Sequence, residues 1–579
     1  MKRKISLVSV ALLLGFAISC SDSFLNTRPY GAVTQQLLNA NESGASTLLI
    51  AAYSNLDGFS GWDNGNPWGG AGSNWTWGSV AGGDAYKGSE ANDQPDVTPI
   101  ELHLTVPNNP YLEGKWRNYY DGIQRANKAI LAYSALDAAV ITDTRRNTAL
   151  GEAKFLRAFY HLDLYKVFQN VPYITEDLAD VRIGNTNAAG EYIDILPSIV
   201  ADLEDAVAKL PATQSDPGRA KKTTAQAYLG YVKLWQKDYA GAKAQFDAVV
   251  NSGLYSLNAN YHDNFNPAFR NTAEGILEVQ QSVNDGTTDN GNNGDVLNFP
   301  YGGGPGGCCG FHQPSQNLVN AFKVDATTGL PDWDNFDSTG DVTSDEGLVG
   351  SDPFTPYAGT VDPRLDWTVG RRGIPYLDWG KHPGVAWTRA QNYGGPYSPK
   401  KNVYYLSQEN TFTAASGWTK GYNSNNTKLM RYADLLLLLA ECEVELNNLA
   451  TATSLVNQVR NRAKNGSKVM DGAVPAANYK VEPYPATFAN QTDARKAVQY
   501  ERRIELGMEG HRFFDLVRWG IAAQVKNAYF ASEGLKRGYL KNGSFVAGKS
   551  ERSPIPQGAI NASSKDSKAT LKQNPGYAN

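Results

Sequence analysis

The sequence predicts a mainly α-helical protein: a solenoid of about four tetratricopeptide-like helix pairs, carrying long irregular insertions that form the ligand-binding region. Two textures along its 579 residues lead to this expectation. Residues 41–56, 112–170, 190–252 and 431–463 repeat apolar residues at helical spacing. Residues 57–110 and about 284–425 are rich in Gly, Pro, Asn, Asp and aromatics and lack that period. Stretches of that length are too long for simple connectors, and long loops on a rigid scaffold tend to carry function.

The N-terminus stands apart from this pattern. Lys2, Arg3 and Lys4 precede an apolar run from Ile5 to Ile18, too short to span a bilayer and typical of a secretory signal. The run ends Ala17-Ile18-Ser19-Cys20, a small residue before a lone cysteine, as in a bacterial lipobox. Residues 1–19 then form the leader and Cys20 becomes the lipidated first residue of a single domain, 20–579, anchored to a membrane that it does not span. An ordinary signal peptide with Cys20 as a bystander is the alternative, since Ala17 departs from the usual leucine.

The helices follow. In TAQAYLGYVKLWQKDYAGAKAQFDAVV, Leu229, Gly230, Ala242 and Phe246 fall at the spacing of a tetratricopeptide pair, whose small residues let two helices approach closely. Leu439, Ala440, Ala452 and Val456 repeat the arrangement. GEAKFLRAFYHLDLYKVF (151–168) with 191–209 makes a third pair, and 116–133 supplies a helix for a fourth. The scaffold is therefore about 41–56, 112–283 and 426–520, followed by a C-terminal segment, 521–579. Each repeat buries its neighbour's apolar face.

Composition narrows the partners. The net charge is −4 with both signs mixed and no basic run, which excludes a nucleic-acid reading. Aromatics reach 11% (12 Trp and 31 Tyr) against 19% charged residues, which suits hydroxyl-rich ligands or a large aromatic core. Six scattered histidines suggest no metal site, and no cofactor is expected. NDGTTDNGNNGD (284–295), with Asp285, Asp289 and Asp295, lacks the register of a calcium loop and reads as polar loop.

Several segments together resemble one family. They are CSDSFLNTRP (20–29), WRNYYDGIQRANKAI (116–130), GEAKFLRAFYHLDLYKVFQNVPY (151–173), RYADLLLLLAECEVELNN (431–448), ERRIELGMEGHRFFDLVRWG (501–520), SPIPQGAI (553–560) and QNPGY (573–577). Their number and order resemble the SusD/RagB family of outer-membrane nutrient-binding lipoproteins of Bacteroidetes. The resemblance implies a cell-surface protein over a TonB-dependent porin of the SusC type, capturing a glycan, or sometimes a peptide, without cleaving it. A surface glycosidase and a pure protein-binding scaffold are the other readings. Carboxylates Glu501, Glu505 and Glu509 share a helix face, which admits acid–base chemistry or a set of ion pairs fixing the C-terminal helices.

The ligand is expected at the aromatic insertions. Trp62, Trp68, Trp75 and Trp77 lie among small residues, and sugars stack their C–H faces on such rings. Trp75 and Trp77 are the chosen platforms; Asp84, where the family has an acidic residue near its site, is the hydroxyl acceptor. In 369–405, Arg371, Arg372 and Arg389 offer planar donors and Tyr393 and Tyr397 sit among glycines; Arg372 and Tyr397 are the preferred pair. A neutral oligosaccharide is expected, of unassigned linkage and length.

GGGPGGCCGFHQP (302–314) sets Cys308 beside Cys309. Export places the pair in an oxidising compartment, Cys20 is acylated and Cys442 sits in an apolar helix, so the two are expected to bond to each other. The surrounding glycines tolerate the tight ring, and a vicinal disulfide would offer a small rigid face at the glycan site beside one of the tryptophans. A reduced pair, or a metal site with His312, are the alternatives.

Overall fold

The computed structural model describes residues 41–59, 66–286 and 291–578. The leader, Cys20, Trp62 and Asp289 lie outside the described residues. The architecture is mainly helical. Helices α1 (Glu42–Ser54) and α2 (Pro110–Ala135) pack together, then α3 (Asp143–Phe168) with α4 (Leu196–Lys209), and α5 (Lys222–Trp235) with α6 (Tyr239–Asn251). The next pair, α7 (Tyr432–Glu445) and α8 (Leu449–Asn465), stacks on α6, although some 180 residues separate them.

Local chemistry explains these ends. The Asn41 side chain accepts the Gly44 N–H at 2.8 Å and Asp238 accepts that of Gly241 at 2.8 Å, each satisfying an orphan donor of a helix start. The α5–α6 and α7–α8 turns each contain one left-handed residue, Lys237 (φ 59°) and Asn447 (φ 62°), so the two pairs share a hairpin geometry. Gly230 is small because a Cβ there would stand 2.6 Å from the Phe246 ring of α6. The spacing read from sequence is thus a close helix contact. Cys442 is fully buried in α7, and burial pushes its thiol well above its ordinary range.

The second insertion leaves and returns at one place. Strand β2 (Gly275–Val279) pairs antiparallel with β6 (Thr427–Arg431), closing the base so that α7 can stack on α6. Within the insertions, β1 (Ala85–Gly88) pairs antiparallel with β3 (Phe311–Pro314), and β4 (Val369–Gly370) with β5 (Ser398–Pro399). Then come α9 (Gln491–Leu506), α10 (Arg512–Arg518) and α11 (Ala522–Glu533). Helix α9 packs on α7 and α8 and carries Glu501 and Glu505 of the carboxylate face anticipated from sequence; it ends at Leu506 and Met508 turns left-handed (φ 70°), so Glu509 lies beyond the helix.

Candidate functional site

Glu501 and Glu505 of α9, and Glu509 just past its end, have buried, paired carboxylates. Glu501 accepts from Arg364 (2.6 Å) and Arg460 (2.8 Å); Glu505 accepts from Arg431 (2.6 Å), Arg364 (2.9 Å) and Arg462; Glu509 accepts from Arg431 (2.8 Å) and Lys401 (2.7 Å). Arg364 and Lys401 come from the insertion, and Arg431, Arg460 and Arg462 from the solenoid, so α9 fastens one to the other. Burial alone would raise the Glu505 and Glu509 carboxyls. The facing cations, led by Arg462 for Glu505 and Arg431 for Glu509, instead hold Glu505 well below the carboxylate range and Glu509 at about 2. Neither retains a proton to give at neutral pH.

The tryptophan segment also departs from expectation. Trp75 and Trp77 are 1% and 3% exposed, and their indole N–H groups donate to the Gly294 carbonyl (3.1 Å) and the Gly69 carbonyl (2.8 Å). Trp75 sits edge-on to Phe311, ring centroids 6.2 Å apart. They are core residues rather than surface platforms. The reason lies in the small residues around them, which permit backbone crossings: a Cβ on Gly78 would lie 1.7 Å from the Gly510 carbonyl oxygen. The segment threads through the molecule, and the rings fill the space beside it.

The other chosen residues are structural as well. Asp84 is buried and accepts from Arg503 Nε at 3.1 Å, while its carbonyl accepts the Ser315 N–H at 2.9 Å. Tyr397 is 1% exposed and its hydroxyl donates to Gln316 Oε1 at 2.9 Å. Arg372 donates to the carbonyls of Gly350 (2.9 Å) and Asp352 (2.7 Å), tying two loops together. Arg371 pairs with Asp366 at 2.6 Å. Asp295 is buried and accepts from Ser73, Asn292 and Asn298, as a polar loop anchor does. Among the described residues, no group of three or more His, Cys, Asp or Glu side chains is placed to hold a metal ion.

Cys308 and Cys309 are bonded to each other. Cys309 is buried and Cys308 half-buried, and Gly302, Gly303 and Gly307 of the same loop are exposed. The loop is anchored from beneath. Tyr404 Oη accepts the Gly306 N–H at 2.8 Å, Thr419 Oγ1 donates to the Gly306 carbonyl at 2.6 Å, and Ser89 N–H donates to the Gly310 carbonyl at 2.5 Å. Gly306 adopts φ +78°, and a Cβ there would stand 2.6 Å from Phe299, so only glycine fits.

These anchors bring Arg389, one of the planar donors offered by the sequence, to the rim together with residues that were not anticipated. Trp418, next to Thr419, is 54% exposed and its indole N–H donates to Tyr422 Oη at 2.9 Å. On the other side Tyr301 lies under the Arg389 guanidinium, 5.5 Å from its ring centroid, and Arg389 pairs with Glu90 (2.7 Å) and Asp93 (2.5 Å). The rim therefore combines an exposed ring, a small sulfur face, exposed glycine backbone and a planar donor flanked by carboxylates. Trp418 was discernible as a lone tryptophan in the polar, glycine-containing stretch AASGWTKGYN.

A family model described as the SusD family matches residues 273–577, from β2 through the disulfide loop to the C-terminal segment. The chain belongs to the SusD family. A second model, described as starch-binding and associating with the outer membrane, matches residues 73–234. SusD-like protein P38 of Formosa agariphila is 25% identical over 537 residues, covering 90% of this chain and 93% of that protein. Surface glycan-binding protein A of Bacteroides fluxus shares 22% identity at a TM-score of 0.66, over 93% of this chain and 100% of that one. Surface glycan-binding protein A of Bacteroides thetaiotaomicron, solved in complex with laminarihexaose, shares 20% identity at a TM-score of 0.64, over 92% of this chain and 100% of that one. These structures share the SusD-type helical fold with this chain. No helix among the described residues is long and apolar enough to cross a membrane.

Proposed function

We propose that this SusD-family protein captures an oligosaccharide at the cell surface, without cleaving it, and passes it to a SusC-type TonB-dependent porin. Lipidation of Cys20 would tether it to the outer membrane. The observation that carries the binding reading is the rim around the bonded Cys308–Cys309 pair, where Trp418 stands exposed beside an anchored glycine loop. A sugar ring lies with its C–H face on such an indole. Arg389, Glu90 and Asp93, by the loop's other anchor at Gly310, would offer a donor and acceptors to the hydroxyls of a bound oligosaccharide. The non-catalytic part of the reading draws support from Glu501, Glu505 and Glu509, whose carboxylates are each buried and committed to arginine or lysine. Glycan capture also agrees with the laminarihexaose complex of the Bacteroides thetaiotaomicron relative.

The test is calorimetry against oligosaccharides, laminarihexaose first, and a peptide panel in parallel. Binding of a glycan without product release is expected. Trp418→Ala, and Cys308 and Cys309 both changed to Ser, should each weaken it by about 1–3 kcal/mol, the scale of losing one anchor. The fold should survive, because a two-residue ring constrains the unfolded chain little. Unchanged affinity in both variants, turnover of the glycan, or binding of peptides alone would sink the proposal.

A further inference from the structure

A cavity of about 500 Å³ opens between α9, α11 and the turn at 333–337. That volume lies within the range of small-molecule sites. Its lining has two characters. Trp333, Phe336, Tyr500 and Tyr529 supply rings, and Arg503 and Arg512 supply guanidinium groups. It is distinct from the disulfide rim. Asp84, at the start of β1, faces these arginines, whereas Ser89, just past the end of β1, meets the disulfide loop. A ribbon of four residues, about 13 Å long at 3.3 Å each, lies between.

The cations here outnumber their partners. Arg503 is served by Asp84 (3.1 Å) and Asn317 (2.7 Å). Arg512 forms no ion pair among the described residues, and its Nε has no acceptor. Lys526, fully buried behind Tyr529, also leaves its Nζ without an acceptor. Asp84 is the acid that all three cations share; Asp515, which also faces Arg512, is itself paired with Arg502 and Arg518 at 3.0 Å each. Glu101, the other acid near Lys526, accepts from Tyr539 Oη at 2.9 Å and from Lys87 N–H at 3.2 Å. The acids at the rim are engaged too: Asp334 pairs with Lys496 (2.7 Å), and Asp337 accepts from Asn320 (2.9 Å) and Ser532 (2.7 Å). Arg512 is half-buried, and loss of solvent together with Arg503 beside it pushes it down to about 9; full burial pushes Lys526 down to about 7, more than nearby acids restore. A cation withdrawn from water without counter-charge, wholly as Lys526 is or partly as Arg512 is, is costly, and a bound anion lowers that cost.

We propose that this cavity is a second ligand site, for a small organic anion: a carboxylate held by Arg512 and Arg503 on a ring of sugar size that lies against Trp333 and Phe336. The paired donors of a guanidinium match a carboxylate, and the rings take the apolar face of the body. The probe is D-glucuronate, titrated into the full chain and followed by tryptophan fluorescence and saturation-transfer NMR, with glucose and inorganic sulfate alongside. Saturable glucuronate binding is expected, with glucose silent and sulfate weaker. R512Q should weaken it about 10–100-fold, the cost of one charged hydrogen-bond partner. R512K keeps the charge but loses the fork and should fall between, and it decides the matter if R512Q does not fold. W333F should remove the fluorescence change while the NMR signal persists. Changing Cys308 and Cys309 to Ser should leave glucuronate binding unaltered. The proposal is overturned if glucuronate does not saturate, if the Arg512 variants bind it as the parent does, or if sulfate alone binds equally well.

Discussion

Replacing Glu505 by Gln isolates the role of the α9 carboxylates. Glu505 is fully buried and accepts from Arg431 at 2.6 Å, Arg364 at 2.9 Å and Arg462. Glutamine keeps the shape, removes the charge and turns an NH₂ group toward donors. Three guanidinium groups then share the remaining acids Asp362, Glu274, Glu501 and Glu509. Breaking a buried ionic network in this way costs about 3–5 kcal/mol. Unfolding entropy of about 2.1 cal/mol/K per residue over 579 residues comes to about 1.2 kcal/mol/K, so the melting point should fall by about 3–4 °C if the chain unfolds as one unit. Differential scanning calorimetry measures the shift, and urea denaturation gives the free energy independently. Oligosaccharide binding at the disulfide rim should persist below the transition. A variant that melts with the parent, or that stays stable while losing a glycan-cleaving activity shown by the parent, would refute the structural role assigned to Glu505.

Two further outcomes follow from buried side chains. Trp75→Ala empties a fully buried site and orphans the Gly294 carbonyl, so it should cost about 3–5 kcal/mol in urea unfolding; unchanged stability with lost ligand binding would restore Trp75 as a platform. Acid should destabilise the fold through histidine: His161 Nε2 accepts the Ile174 N–H (3.0 Å) and His382 Nδ1 accepts the Gly384 N–H (3.1 Å), so both rings are neutral, and burial holds each at about 3. Because these values lie below the unfolded value of about 6.5, the stabilisation is complete above that pH and declines as pH falls from there toward 3, by up to about 1.4 kcal/mol per pH unit for each ring. Melting temperatures that stay level from pH 7 to pH 4 would contradict this.

The helix pairs were legible because their signal is local. Leu229, Gly230, Ala242 and Phe246 announce a close crossing through spacing alone, and Gly230 does meet Phe246. Of the carboxylate row, Glu501 and Glu505 were equally readable, since i, i+4 residues share a helix face whatever surrounds them, but α9 ends at Leu506 and leaves Glu509 past its end. The adjacency of Cys308 and Cys309 is a property of the chain itself, and they are bonded. Trp75 and Trp77 were misplaced because composition does not distinguish an exposed glycine-rich loop from a glycine-rich thread through a core. Only the crossing of Gly78 against Gly510, more than 400 residues away, tells them apart. Asp84, Tyr397 and Arg372 have side chains that serve a ligand or a neighbouring loop equally well, and their partners Arg503, Gln316 and Asp352 came within reach only on folding. The same holds for the rim. Trp418 and Arg389 flank the disulfide because single hydrogen bonds, Thr419 to Gly306 and Ser89 to Gly310, draw distant loops against it. Periodicity is a short-range property of a sequence, whereas burial depends on which remote segment arrives beside a residue, and that was settled by tertiary packing.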